Sequence, residues 1–359
     1  MSTATSWRSG AAVNTMLVAA LATGVFVASY DLASSPDSAI LGGTSAAPTT
    51  NAEGEVVGTN APFTTADVGT CLNWEVAEDG AVANFQQTPC EQEHRFEVSK
   101  REDLGIYPTS EFGPDADMPD LARQAELREE LCHSATITYL GGKFDPAGKY
   151  AIAPILPPAS AWANGDRTLL CGLQTTDEQG TPLPTSGKVV DNDQANIAQA
   201  GDCRAVGEDQ VLRTVDCAEP HQLETTAVVN LGERFPEGFP EIGQQDDFLA
   251  DRCAQTAEEY MGGEENLYQS TLQVYWGTVL EDSWNGGTRS VNCSLMHANP
   301  ATNSFSTIVG SATDGREALS INGAPPTAQP KRNPLRSEAG QPPAPAPAEP
   351  GQAPAAPAQ

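Results

Sequence analysis

Eight cysteines divide the 359-residue chain into two matching parts, and this division constrains the fold more than any other feature of the sequence. The first set is Cys71, Cys90, Cys132 and Cys171, and the second is Cys203, Cys217, Cys253 and Cys293. Subtracting the first set from the second, position by position, gives offsets of 132, 127, 121 and 122. A nearly constant offset indicates an internal repeat whose loops differ in length.

The residues around the cysteines repeat as well. The second cysteine of each set opens a C-x3-H-x2-E motif, with His94 and Glu97 in the first copy and His221 and Glu224 in the second. The fourth cysteine closes a W-x2-G-x-R-x3-C motif, whose large side chains are Trp162, Arg167, Trp284 and Arg289. The same short patterns in the same order predict one structural unit that occurs twice.

The pattern within each unit predicts a small α+β domain. In the first unit, Pro119 marks a helix start and Gly141-Gly142 marks its end. The fourth cysteine lies in a short β-like run, and further strand-like runs surround the histidine motif. We therefore predict two tandem α+β domains, residues 61–178 and 179–310, each with several strands, one main helix and a closing strand.

The N-terminal segment predicts export. Residues 11–30 contain no charge and no proline, and their length matches the ~30 Å hydrocarbon core of a membrane. Arg8 precedes this segment and Asp31 follows it, which places residues 1–10 in the cytoplasm and the bulk of the chain outside, as a single-pass cell membrane protein. The alternative is a signal peptide cleaved near residues 27–29, which would release a secreted protein.

Two other segments have too little apolar surface for a core. Residues 31–60 are rich in Ser, Thr, Ala, Gly and Pro, and residues 311–359 are rich in Pro and Ala. Such compositions are typical of a disordered spacer and a disordered tail.

The charge balance narrows the choice of partners. The chain has 48 acidic and 19 basic residues and a formal net charge of −29. Nucleic-acid binding needs a basic surface that releases counterions, so we expect no nucleic-acid partner. We expect contact with the cytoplasmic membrane through the N-terminal helix.

Cysteines of an exported chain are expected to form disulfides. Four cysteines allow three pairings, and we favour joining the helix cysteine to the closing-strand cysteine in each unit. The favoured bonds are Cys132–Cys171, Cys253–Cys293, Cys71–Cys90 and Cys203–Cys217. Zinc is the alternative, but structural zinc sites usually use C-x2–4-C pairs, which this sequence lacks. We therefore predict no metal and no cofactor.

The repeated polar residues have two interpretations. A histidine with a nearby carboxylate is a common acid–base pair, so His94 and His221 are candidate bases of an enzyme acting on cell-wall material. Residues three apart on a strand point to opposite faces, however, and no complete catalytic motif accompanies them. We therefore expect hydrogen bonds at a strand-to-loop junction and no catalytic residue.

The repeated Trp and Arg favour packing beside the closing disulfide, with the Arg stacked or paired to a carboxylate. A ligand groove around these two residue types is the alternative. On either interpretation, recurrence in both units fits a role that each copy of the fold requires.

The motifs together resemble the septum formation domain of membrane-anchored actinobacterial proteins, here in tandem over roughly residues 61–300. In that family the histidine motif usually reads Cys-x-x-Pro-His. Pro220 fits this pattern, whereas Glu93 stands at the corresponding position of the first copy. The resemblance implies an envelope protein associated with septation and cell division, and it implies no active site or cofactor. We therefore expect a non-catalytic extracytoplasmic binding or scaffold protein. The resemblance also implies an unknown envelope or division protein as its partner.

Overall fold

Two large antiparallel sheets, accompanied by three two-stranded sheets, organise the described part of the protein in this computed structural model. We call residues 63–191 the first half and residues 195–330 the second half. The residues that the structure describes are 49–50, 56–58, 63–76, 82–107, 110–177, 179–207, 211–302 and 304–330.

The first sheet has the strand order β4-β3-β5-β7-β6, and β8 pairs with β7. A main helix crosses one face of the sheet, with a π-helical stretch at Arg128–His133 between α1 and α2. The elements are β3 (Cys71–Val76), β4 (Val82–Thr88), β5 (Phe96–Asp103), α1 (Leu121–Leu127), α2 (Ser134–Tyr139), β6 (Ala151–Ile155), α3 (Ala159–Ala163), β7 (Thr168–Thr176) and β8 (Pro182–Leu183).

The second sheet has the order β10-β9-β11-β13-β12, which repeats the first order strand for strand. Its main helix, α5, contacts β11, β12 and β13. The elements are β9 (Cys203–Val206), β10 (Leu212–Val215), β11 (Leu223–Asn230), α4 (Leu231–Arg234), α5 (Ile242–Tyr260), α6 (Glu264–Ser270), β12 (Gln273–Trp276), α7 (Glu281–Gly286), β13 (Ser290–Met296), β14 (Ala298–Asn299), β15 (Ser304–Phe305), β16 (Ile308–Val309) and β17 (Ser320–Ile321). The predicted mixed helix-and-sheet class is confirmed.

Strand alternation gives each sheet two distinct faces. On β7, Leu169 and Leu173 are buried with the helix residues Leu127 and Cys132. Leu170, between them, belongs to a separate apolar cluster on the opposite face. We call these the helix face and the far face of each sheet. A similar helix-face cluster in the second half includes Leu249, Cys253, Val291 and Cys293.

The main helices end where the sequence predicts. Gly141 and Gly142 have φ values of 63° and 85°, and Gly262 and Gly263 have 71° and 133°. Glycine reaches this region without a steric penalty, so each Gly-Gly pair terminates its helix. At the other end, the Asp120 side chain accepts a hydrogen bond from the Arg123 N–H at 2.8 Å and caps α1.

The predicted disordered segments need correction at their inner ends. Within the predicted spacer, Thr49–Thr50 (β1) pairs with Val56–Gly58 (β2), and the threonine and valine residues favour extended backbone. Within the predicted tail, Leu319 and Ile321 are buried, and Ile321 pairs with Ile308. These apolar side chains supply buried surface at the start of the tail, although the composition of the tail as a whole is rich in Pro and Ala.

The segment after β8 belongs with the first sheet. His94 and Thr185 form an isolated β-bridge, and the 3-10 turn Val189–Asp191 follows it. The sequence-based boundary at residue 178 therefore precedes a segment that contacts the first half.

The predicted cytoplasmic residues 1–10 and the apolar segment 11–30 lie outside the described residues. Among the residues that are described, no helix combines the length and the hydropathy that a membrane crossing requires.

Candidate functional site

The C-x3-H-x2-E residues lie inside the protein in both halves. His94, Glu97 and His221 have 0% of their surface exposed, and Glu224 has 1%. A buried carboxylate needs hydrogen-bond donors to replace water. The contacts of the two glutamates therefore define what the motif does.

Glu97 connects the sheet, the helix and the segment after β8. It accepts a hydrogen bond from the Tyr139 hydroxyl at 2.6 Å through Oε1. Through Oε2 it accepts one from the backbone N–H of Val189 at 2.7 Å. Val189 begins a 3-10 turn, so the carboxylate satisfies an N–H at the start of that turn.

Glu224 repeats this arrangement in the second half. Its Oε1 accepts hydrogen bonds from the Tyr260 hydroxyl at 2.6 Å and from Ser311 Oγ at 2.8 Å. Its Oε2 accepts one from the N–H of Ala312 at 2.7 Å, where another 3-10 turn begins. The two glutamates thus make the same kind of connection.

The two histidines hold the same segments through their backbones. His94 exchanges backbone hydrogen bonds with Thr185 at 2.8 and 2.7 Å, and His221 exchanges them with Ile308 at 2.9 and 2.7 Å. Each ring Nδ1 lies 2.9 Å from a carbonyl oxygen, that of Gln92 or of Glu219. Because a carbonyl only accepts, Nδ1 carries a proton in both rings.

His and Glu of each motif approach each other, contrary to the expectation from strand alternation. Ligand atoms of Cys71, His94 and Glu97 lie within 4.8 Å of one another, as do those of Cys203, His221 and Glu224. His94 lies in an isolated bridge before β5 begins at Phe96, so the two-residue period of a strand does not apply to it.

These clusters are poor in free ligand atoms for a metal. The sulfurs of Cys71 and Cys203 are bonded in disulfides, and both oxygens of each glutamate already accept hydrogen bonds. Of the nitrogen and oxygen ligand atoms in these two clusters, only the histidine Nε2 atoms lack a hydrogen-bond partner. One imidazole nitrogen falls short of the four ligands of a structural zinc site.

The cysteines lie at disulfide distance in the arrangement that the sequence favours. The Cα–Cα separations of all four pairs are 5.1 or 5.2 Å. Cys71 joins Cys90 and Cys203 joins Cys217 beside the histidine clusters. The other two bonds, Cys132–Cys171 and Cys253–Cys293, join the main helix to the closing strand.

The repeated Trp and Arg stack on each other. The guanidinium carbon lies 4.1 Å from the ring centroid in both pairs, Arg167 over Trp162 and Arg289 over Trp284. Arg167 also donates to the carbonyl oxygens of Phe112 and Gly113 at 3.1 and 2.7 Å. The Arg167 guanidinium therefore stacks on Trp162, which is one of the two expected arrangements, and holds loop backbone through carbonyl oxygens.

A repeated glutamine was missed by the sequence analysis. Gln124 donates through Nε2 to the carbonyl oxygen of Pro119 at 2.8 Å, and Gln245 donates to that of Pro240 at 2.9 Å. Both side chains are buried. The identical P-x4-Q spacing was the signal. In each half the glutamine side chain hydrogen-bonds to the backbone just before the main helix.

The tyrosines that contact the glutamates respond to their surroundings. Burial, followed by the hydrogen bond to Glu97, raises the pKa of Tyr139 well above its ordinary value. Burial and the hydrogen bond to Glu224 raise the pKa of Tyr260 in the same way. Both hydroxyls therefore remain protonated donors over the physiological range.

The two halves meet at a buried aspartate. Asp145, 3% exposed, accepts hydrogen bonds from the hydroxyls of Ser283 and Thr288 in the second half. Gly286 lies against Asp145, because a Cβ added there would be 2.8 Å from the Asp145 backbone. The sequence signal was indirect: the W-x2-G motif places Asn164 at the corresponding position of the first half.

The family comparison covers most of the folded part. The Septum formation family matches residues 68–293. Relatives in two strains of Mycobacterium tuberculosis, each described as an uncharacterized membrane protein, are 37% identical over 275 residues. The match covers 76% of this chain and 60% of the length of each relative. No solved structure gives a significant match.

Proposed function

Because the chain belongs to the Septum formation family, we propose that it is a septum-related membrane protein of the cell envelope that acts by binding or scaffolding. Its relatives' description as membrane proteins supports the membrane assignment. The proposed arrangement has residues 11–30 as a single anchor. Two repeated α+β units then lie outside the cytoplasm, where their disulfides persist.

The burial of the repeated motif carries this proposal. His94 and His221 have no exposed surface, so a substrate does not reach their Nε2 atoms in this conformation. Both carboxylate oxygens of each glutamate already accept hydrogen bonds from donors inside the protein. A general base must lie within hydrogen-bond reach of the proton that it removes, and these residues fail that condition. The competing hypothesis of a cell-wall enzyme therefore has little support at this motif.

Replacing the histidines separates the two hypotheses. We expect His94→Ala and His221→Ala each to lower the free energy of unfolding by about 3 kcal/mol, because each leaves a cavity under a buried bridge. His133→Ala is a matched control, since His133 is exposed. Denaturant unfolding measures the change. Unaltered stability with loss of cellular function would support catalysis and contradict the structural role.

Localisation tests the septal part of the proposal. We expect a tagged full chain, with a fluorophore that matures outside the cytoplasm, to be enriched at division sites and its deletion to disturb septa. Uniform labelling of growing cells together with normal septa in the deletion strain would contradict a septal role.

Membrane fractionation with N-terminal sequencing of the mature chain tests the anchor. An intact N-terminus in the membrane fraction supports retention. A new N-terminus near residue 30 in the medium supports the secreted alternative. Crosslinking in the envelope, followed by identification of the captured chains, addresses the proposed envelope or division partner.

A further inference from the structure

The four disulfides differ in their distance from solvent. Both cysteines of each helix-to-strand bond are fully buried. In the Cys71–Cys90 bond the two residues are 0% and 5% exposed, and Cys203 is 1% exposed. Of the eight cysteines, all of which the structure describes, Cys217 alone is partly exposed. The Cys203–Cys217 bond is therefore the one that a molecule in solution can reach.

The glycine beside each of the two shorter bonds gives the reason. Cys90 Sγ lies 3.5 Å from the carbonyl oxygen of Gly69, and Cys217 Sγ lies 3.6 Å from that of Gly201. Lys188 Nζ lies 3.7 Å from the position that a Cβ on Gly69 would take. No described atom lies within 4 Å of that position on Gly201. The second bond thus lies beside open space that a lysine side chain covers in the first half.

The repeat identifies the residue that replaces this lysine. Lys188 directly precedes Val189, whose N–H donates to the motif glutamate of the first half. In the second half Ala312 makes the corresponding hydrogen bond, so Ser311 stands in the position of Lys188. The short Ser311 side chain donates to Glu224 at 2.8 Å inside the protein. It therefore cannot extend over the second bond.

A buried imidazole accompanies the less exposed sulfur. Ligand atoms of Cys203, His221 and Glu224 lie within 4.8 Å of one another. The His221 side chain has no exposed surface, and its Nε2 has no hydrogen-bond partner. An imidazole beside a cysteine sulfur favours release of that sulfur as a thiolate, because it can exchange a proton with it. Cys203 is thus placed as a leaving group.

We propose that the Cys203–Cys217 bond is a thiol–disulfide exchange site for a small-molecule thiol, which enters through the open space over Gly201. The thiolate of the small molecule attacks Cys217 Sγ, since this is the accessible sulfur. A new S–S bond forms, the Cys203–Cys217 bond breaks, and Cys203 leaves with the electron pair.

A second thiol completes the exchange. Its thiolate attacks the sulfur of the small molecule, and Cys217 leaves with the electron pair. Two thiols are thereby oxidised to one disulfide, and the protein disulfide is reduced to two thiols. The two protons of the small-molecule thiols end on Cys203 and Cys217.

Reduction of the full chain by dithiothreitol tests the proposal. Alkylation with iodoacetamide at successive times, followed by peptide mass spectrometry, measures each bond separately. We expect the Cys203–Cys217 bond to be reduced at least ~10-fold faster than the Cys71–Cys90 bond, because both have the same histidine cluster and differ in access. Urea below the unfolding range should leave the faster rate unchanged, since the folded chain is attacked. Equal rates for the two bonds would overturn the proposal, as would a faster rate that rises with urea.

A lysine variant tests the entrance. Lys188→Ser introduces the residue type of the second half, and we expect it to speed reduction of the Cys71–Cys90 bond severalfold. Lys143→Ser is the matched control, because Lys143 is exposed and belongs to neither cluster. If both variants reduce the Cys71–Cys90 bond at the original rate, the open space over Gly201 is not the entrance.

A pair of variants tests which sulfur is attacked. Cys203→Ser leaves Cys217 as a thiol, and Cys217→Ser leaves Cys203. Both variants lose the same disulfide, so a general loss of stability affects them alike. We expect Cys217 to be alkylated at least ~10-fold faster than Cys203 in the folded variants. Equal rates would contradict attack at Cys217.

A protein thiol serves as the comparison for the co-reactant. Reduction of the original chain by reduced thioredoxin, without reduction by dithiothreitol, would overturn the assignment to a small-molecule thiol. This exchange site does not depend on a role in septation.

Discussion

Each motif glutamate joins parts of its half that are distant in sequence. Glu97 lies on β5, whereas its two donors are Tyr139 on α2 and the backbone of Val189. The donors are 42 and 92 residues away along the chain. A buried donor without its acceptor costs about 1–3 kcal/mol, so the carboxylate makes the position of the later segment specific. This is a structural reason for the motif to occur in both halves.

The raised pKa values of Tyr139 and Tyr260 lead us to expect that the stability of the fold falls at alkaline pH. Their raised pKa means that the folded chain keeps protons that the unfolded chain releases above about pH 10. This contribution to stability is complete below that pH and declines as pH rises. We expect Tyr139→Phe and Tyr260→Phe to reduce the loss of unfolding free energy between pH 9 and 11.

Denaturant unfolding at several pH values measures this slope. The eight cysteines are all paired, so free thiols do not complicate the alkaline range. A slope that is the same in the double variant and the original chain would contradict a role for these two hydroxyls.

At the scale of elements, the repeated helix-to-strand disulfides make the clearest prediction. The Cys253–Cys293 bond spans 40 residues and the Cys203–Cys217 bond spans 14. In the chain-entropy model, these loops correspond to about 4 and about 3 kcal/mol of stabilisation. We expect the double alanine variant of Cys253 and Cys293 to lose more stability than that of Cys203 and Cys217. Cys253 and Cys293 are both fully buried, so lost packing adds to the effect of the opened loop.

Unfolding midpoints in denaturant measure both losses. The double variant of Cys132 and Cys171, whose separation is 39 residues, serves as the matched comparison and should resemble that of Cys253 and Cys293. A larger loss from the 14-residue loop would contradict this account.

Local signals predicted much of the element structure. The glycine pairs predicted the ends of the main helices, and the β-like runs around the fourth cysteines predicted the closing strands. Both features depend on neighbouring residues, so a local pattern is enough to predict them. The approach of His94 to Glu97 was not predictable from strand period, since it depends on a bridge to Thr185. The order within residues 311–330 depends equally on a distant partner, because Ile321 pairs with Ile308.

At the scale of the whole molecule, the two halves share a strand order but differ at their surfaces. Asp145 of the first half accepts hydrogen bonds from Ser283 and Thr288 of the second half. Among the described residues, no carboxylate of the second half makes the corresponding contact with the first half. The far faces differ as well, one filled by Phe63 and Trp74 and the other forming a groove. Repeated motifs predicted what the halves share, and departures from the repeat, such as Gly286, mark where they differ.

The most direct test of this account compares Glu97→Ala with Glu224→Ala in denaturant unfolding. If the motif has the same structural role in both halves, each variant should lose about 3 kcal/mol, because each leaves at least two buried donors without an acceptor. Glu258→Ala, on the exposed face of α5, should change stability by less than about 0.5 kcal/mol. Motif variants as stable as this control would contradict the account.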